Sequence, residues 1–313
     1  MGILVVGSVA LDSVKTPFGT REDVLGGAAT YFSIAASYFA DVSMVAVVGA
    51  DFPEKHISLF HEKGIDTSGL QRQQGRTFRW KGEYGSDLNT RTTLDTQLNV
   101  FADFSPKLLS SHCSKDYIFL GNINPDLQLS VLEQTKRPKL VACDTMNYWI
   151  ENTRDALLKT LRKTDLLVIN DAEAKQLADD SNLISAARKI LTLGPSILVI
   201  KRGEYGALMF NSKSIFSVPA FPVEEVMDPT GAGDSFAGGL IGYLAASGTS
   251  DDAAMRKAVV FGSVMASFNV MDFGPQRLLN LTYPEIEARY REFYRLACFE
   301  DSPDRFKKGD ETL

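Results

Sequence analysis

A chain of 313 residues with 44% hydrophobic composition can bury a core, as one large α/β domain or two small ones. Its formal net charge of −6 argues against a general nucleic-acid binder and leaves room for a local basic pocket. Cys113, Cys143 and Cys298 are odd in number and lack a Cys-x-x-Cys pair, so no disulfide framework or zinc site is indicated, and a reducing cytoplasm is the simplest setting.

The first apolar run, Ile3–Val6, has no basic lead and is too short for a signal peptide, so it reads as a buried strand. No stretch reaches transmembrane length, and no membrane association is expected. Short β-branched runs then alternate with helical patterns: strands at 3–6, 43–48, 117–120, 140–143 and 166–169 precede helices at 28–39, 54–63, 127–134, 153–161 and 172–177. This order predicts a mostly parallel central sheet covered by helices on both faces. Near residue 197 the pattern changes, because 199–210 reads as two strands joined by a Gly-rich turn that extend one edge antiparallel.

Two segments fall outside that layered core. Residues 76–84 alternate Phe78 and Trp80 with Arg79 and Lys81, and after Gly85-Ser86-Asp87 the run 89–100 is rich in Thr. With a piece from 12–25, the region 74–104 is expected to form a small β-sheet, in the functional reading a lid over a substrate pocket and in the bland one an ordinary surface hairpin. Residues 1–300 are expected to form one domain, and the charged, apolar-poor 301–313 a frayed tail.

The string Met227-Asp228-Pro229-Thr230-Gly231-Ala232-Gly233-Asp234-Ser235-Phe236 leads into a small apolar helix. Gly231, Ala232 and Gly233 have almost no side chain, so their amides can converge beside the positive end of that helix and form an anion hole. A carboxylate repels a bound phosphate, so Asp234 makes chemical sense there as a base that takes the proton from a hydroxyl nucleophile. The bland reading is a tight turn with Asp as helix cap. Phe236 stands where Gly-x-Gly-x-x-Gly needs its third glycine, and no Gly-Lys-Ser/Thr occurs, so dinucleotide and P-loop readings fail. Gly233-Asp234-Ser235-Phe236-Ala237 is one substitution from a hydrolase nucleophile elbow, but His56, His61 and His112 all precede Ser235, the wrong order for that triad.

These residues resemble the ribokinase-type (PfkB) family of carbohydrate and nucleoside kinases across nearly the whole chain. Asp228-x-Thr230-Gly231-Ala232-Gly233-Asp234 is similar to its C-terminal signature. Asp12 with Gly26-Gly27 matches the place where the family grips substrate hydroxyls. Asn170-Asp171-Ala172-Glu173 resembles its Asn-x-x-Glu motif, and Lys201-Arg202-Gly203-Glu204-x-Gly206 its nucleotide-side hairpin turn. Taken alone, Asn170 and Glu173 read as a helix-capping pair.

The resemblance implies a ribokinase-like three-layer sandwich and a cytoplasmic, ATP- and Mg2+-dependent kinase acting on a sugar, a sugar-like alcohol or a nucleoside. It implies Asp234 and the Gly231–Gly233 amides as catalytic groups, and Asp12, Gly26, Gly27 and Asn124 as substrate-binding. Asn170, Lys201, Gly203, Gly206 and Asn269 would bind nucleotide, and Glu173 would hold magnesium through water. Cation-activated relatives imply potassium (K+) at Asp228 and Thr230 with carbonyls near Phe273-Gly274, and lid pairing implies a homodimer. A catalytically idle nucleotide- or sugar-binding regulator on the same scaffold is the rival from another class. Tyr31 follows Thr30 where many sugar kinases of the family carry a substrate-contacting Asn, so it either walls off a ring or is plain core. Further pocket chemistry is expected from Phe78, Trp80, Asn89, Arg91 and 122–124.

Overall fold

The computed structural model describes residues 1–298. In chain order its strands are β1 (Ile3–Val6), β2 (Ala10–Thr16), β3 (Gly19–Gly26), β4 (Val42–Gly49), β5 (Asp66–Gln73), β6 (Phe78–Tyr84), β7 (Arg91–Gln97), β8 (Tyr117–Leu120), β9 (Leu140–Cys143), β10 (Leu166–Asn170), β11 (Ile197–Lys201), β12 (Ala207–Phe210) and β13 (Ile215–Val218). The helices are α1 (Ala28–Ala36), α2 (Glu54–Glu62), α3 (Pro125–Gln134), α4 (Asn147–Asn152), α5 (Arg154–Leu161), α6 (Asp171–Ala178), α7 (Leu183–Leu191), α8 (Ala232–Ser247), α9 (Asp252–Asn269), α10 (Gln276–Leu279) and α11 (Tyr283–Ala297).

Nine strands form one sheet in the order β13-β12-β11-β10-β9-β8-β1-β4-β5. It is parallel from β5 through β11, and β12 and β13 add antiparallel strands at one edge. The inner strands are apolar on both faces, as a doubly covered parallel sheet requires. Ile3 and Val5 of β1 pack with residues of α1, α8 and α9, while Leu4 and Val6 pack with residues of α3, α5, α6 and α7. This is the predicted three-layer α/β architecture.

The chain leaves β1, builds β2 and β3, and returns through α1 to β4 on one side of β1; β8 lies on the other side. Such a reversal of strand order opens a crevice at the carboxyl ends of the strands, where open α/β sheets bind ligands. Over that end lies a second sheet of four strands, β3-β2-β6-β7, with β2 and β6 parallel and the other pairs antiparallel. Its strands come from the two regions expected outside the core. The expected tail, 301–313, lies outside the described residues.

Candidate active site

The loop into α8 is built from its backbone. Gly231 caps the helix at φ 77, a left-handed conformation that costs a residue with a β-carbon about 1–2 kcal/mol. A β-carbon there would also strike the Tyr31 ring. Thr230 N–H donates to Asp228 Oδ1 at 2.9 Å, and Ala232 N–H turns back to the Pro229 carbonyl at 3.2 Å. The three expected amides are therefore not equivalent: among the described residues only those of Gly231 and Gly233 have no acceptor. Lys201 Nζ rests beside them, 2.8 Å from where a Gly233 β-carbon would stand.

Asn269 braces this loop from behind. It is fully buried, its Nδ2 donates to the Thr230 carbonyl at 2.8 Å, and its Oδ1 accepts from Ser235 Oγ at 3.1 Å. Of the residues expected at the nucleotide, Asn269 has no exposed surface, and both polar atoms of its side chain are engaged by the Thr230 carbonyl and Ser235. Ser235 is equally buried, which removes it as a nucleophile. Asp228, 1% exposed, accepts from Thr230 N–H and, through Oδ2, from Gly274 N–H at 3.0 Å. Where carbonyls from the Phe273-Gly274 loop were expected to face a cation, Gly274 presents its amide to Asp228.

Asp234 lies in the first turn of α8. Burial first, and then the charge of Asp144, push its carboxyl up to about 7, against the pull of Lys201 and Arg91. A raised value was not required by the sequence reading; it follows from the crowding of carboxylates. Asp144 follows β9 directly and lies 3.7 Å from Lys201 Nζ. Its own carboxyl is raised by burial and held back by Lys201. Burial opposes the Lys201 ammonium, but Asp144, Glu173 and Asp234 together keep its pKa above the usual lysine value.

Asn170 and Glu173 form the capping box that the isolated motif suggested. Asn170 Oδ1 accepts from Glu173 N–H at 2.8 Å, and Glu173 Oε2 accepts from Asn170 N–H at 2.9 Å. The cap also aims Glu173 at the cluster: burial, then Asp144, raise its carboxyl pKa. Gly203 and Gly206, at φ 53 and 80, shape the turn between β11 and β12, with Gly206 closed on by the Val218 carbonyl.

The opposite end of the crevice holds Asp12, 4% exposed. Burial and the charges of Asp228 and, to a smaller degree, Asp234 push it up to about 7, against the amide of Gly27. Gly26 has no side chain because the Asp12 carboxylate occupies that space, and Gly27 sits at φ 92 between Ser8 and Ala10. Trp80 pairs with Asp12 across β6 and β2 and shares its face. Tyr31 is 1% exposed under Gly231, which is the core reading, although its hydroxyl has no partner among the described residues.

The other expected pocket residues have partners within the protein. Asn124 caps α3, accepting from Asp126 N–H at 2.9 Å, while Asn122 accepts from Trp149 Nε1 at 2.9 Å. Phe78 stacks on Phe101 with centroids 5.3 Å apart, and Asn89 lies against Gly203. Sequence reasoning missed Asp144, whose signal was an acid placed immediately after a wholly buried strand, at the carboxyl end of the sheet where ligands bind.

A carboxylate beside free helix-end amides, on this three-layer scaffold, defines a class: small-molecule phosphotransferases with a hydroxyl acceptor and a ribokinase-like fold. The chain belongs to the pfkB family of carbohydrate kinases, whose model matches residues 3–280. It is 29% identical over 249 residues to a cytidine kinase of Thermococcus kodakarensis, covering 78% of this chain and 88% of that protein. Among solved structures it is similar to the Burkholderia thailandensis nucleoside kinase in complex with inosine, with TM-score 0.77, 21% identity, and 94% and 99% of the two chains covered. A putative ribokinase II from E. coli in complex with ATP and Mg2+ matches with TM-score 0.75 and 19% identity, over 93% of this chain and 99% of that one.

Proposed function

We propose that the protein transfers the γ-phosphoryl group of ATP to an alcohol of a sugar or sugar-like molecule. The observation that carries this reading is Asp234, half-buried in the first turn of α8 beside the unused amides of Gly231 and Gly233 and the Lys201 ammonium. Asp234 accepts the hydroxyl proton, the hydroxyl oxygen bonds to the γ-phosphorus, and the bond to the β–γ bridging oxygen breaks to release ADP. The two amides and Lys201 offset the charge on the transferred group. Asp12, with the Gly27 amide, holds acceptor hydroxyls, and the β11–β12 turn at Gly203 and Gly206 borders the nucleotide.

Carboxylates with raised pKa values fit a divalent ion that would let them ionise, and Glu173, through water, with Asp144 would hold magnesium. Magnesium, when bound, supplies charge neutralisation on the phosphates. A potassium ion near Thr230 would share Asp228 with two amides; equal rates in potassium, sodium and tetramethylammonium would leave Asp228 a clasp for the loop.

A nucleoside acceptor is the second reading. Its support is Trp80, a ring-sized apolar surface on the same face as the hydroxyl-gripping Asp12, together with the likeness to a cytidine kinase. The small sheet would close over either acceptor. Against a catalytically idle binder stands Asp234, since a carboxylate beside phosphate only weakens binding. Coupled-enzyme detection of ADP with pentoses, hexoses, inositols and nucleosides tests the proposal. Acceptor-dependent ADP release is expected, and bound ATP with no turnover on any acceptor would support the regulator instead.

A further inference from the structure

Arg91 begins β7, just after the β6–β7 turn, on the small sheet. Register sets it opposite Tyr84, whose hydroxyl lies 3.3 Å from Thr230 Oγ1, and Asn89 of the same turn lies against Gly203. The hairpin tip therefore bridges from the amide loop before α8 to the turn between β11 and β12, across the mouth of the crevice. The Arg91 guanidinium stands 6.0 Å from the centre of the Trp80 ring, is exposed, and forms no ion pair among the described residues. Its charge nevertheless reaches the carboxyls of Asp144, Glu173 and Asp234, lowering each.

Charge at this end of the crevice is unbalanced for a polyphosphate. Three carboxylates, Asp144 buried and Glu173 and Asp234 half-buried, face one half-buried cation, Lys201, and a nucleoside triphosphate adds several more negative charges. A guanidinium steered by a ring face, bound to no single carboxylate, and carried on an element docked over the site supplies what is missing. Its planar fork suits two phosphate oxygens at once.

We propose that Arg91 is a catalytic residue delivered by the small sheet, its guanidinium binding the terminal phosphoryl group of the nucleotide when the β6–β7 hairpin is docked. This rests on the kinase reading above and goes beyond it: the element that covers the acceptor also completes the phosphoryl site, so transfer waits for closure. A structural role, in which Arg91 only packs on Trp80, makes a different forecast.

The test compares ADP with β,γ-imido-ATP, each with magnesium, by calorimetry on the wild-type protein, Arg91→Ala and Arg91→Lys. Arg91 is exposed, so both variants are expected to fold, and far-ultraviolet dichroism checks this. Arg91→Ala should weaken the triphosphate analogue by about tenfold or more, the scale of one charge-assisted hydrogen bond, while ADP changes less than about twofold. Arg91→Lys should fall between, keeping the charge and losing the fork. Equal losses for both nucleotides, or none for either, would overturn the role of Arg91 and leave the kinase reading standing. Failure of the wild-type protein to bind either nucleotide would sink the nucleotide site itself, and Arg91 with it.

Discussion

At the scale of single residues, the site is governed by carboxylates whose pKa values burial and mutual repulsion raise. Asp234 at about 7 must lose its proton to act as base, so kcat/KM should rise about tenfold per pH unit below 7 and level off above. Asp144 contributes to that raised value, so Asp144→Asn should move the acid limb of the profile to lower pH; an unmoved limb would show that the two carboxyls do not interact. Stability carries the opposite sign. A carboxyl whose folded pKa lies above its unfolded value binds more protons in the native state, so stability falls as pH rises from about 4 through 7. Asp234→Asn should accordingly raise the melting temperature of the ligand-free protein at pH 8, by roughly 2–4 °C for each kcal/mol relieved. A lower melting temperature would contradict the crowding account. These interactions join residues 12, 144, 173, 201, 228 and 234, and no local pattern in the sequence reports them. Asp234 was legible because its neighbours are glycines; Asp144 sits in Asp144-Thr145-Met146, which has no such mark.

At the scale of elements, the turn into α8 is the part least tolerant of change. Gly231→Ala places a β-carbon in a left-handed residue and against Tyr31, so it should cost at least about 1–2 kcal/mol and displace the amides that face the phosphoryl group. Chemical denaturation and ADP-release assays check the two halves; a stable, fully active variant would contradict both. The inner strands were readable to the residue: Ile3–Val6, Tyr117–Leu120 and Leu140–Cys143 are continuous apolar runs of the length a doubly covered strand needs. β5 was not anticipated, because Asp66–Gln73 is an edge strand whose one buried residue is Gly69 and which shows no apolar alternation. Helix α9 also escaped notice: its buried residues lie on most of its circumference, so it lacks the narrow apolar stripe that marks an amphipathic helix. Asn170 and Glu173 were readable both ways, and the capping box and the phosphate-side carboxylate are one arrangement seen from two sides.

At the scale of the whole molecule, the small sheet presents β7 with every residue exposed along an edge, and such an edge is open to pairing with a second copy of the chain. A homodimer through that sheet should appear as twice the monomer mass in light scattering and should dissociate when β7 is interrupted by Thr93→Pro. A monomer at all working concentrations would remove the dimer and leave closure over the acceptor intact. No helix among the described residues is long and apolar enough to cross a membrane, and Cys113, Cys143 and Cys298 are free thiols. That Asp234 is the base for phosphoryl transfer is tested most directly by one comparison: acceptor-dependent ADP release and nucleotide affinity in Asp234→Asn. Asn keeps the size and the hydrogen-bond acceptor but is a far weaker base, and it removes a negative charge near the γ-phosphate. The account predicts a rate loss on the order of 100- to 10,000-fold with nucleotide binding unchanged or tighter. A folded Asp234→Asn protein that keeps its full rate would contradict it.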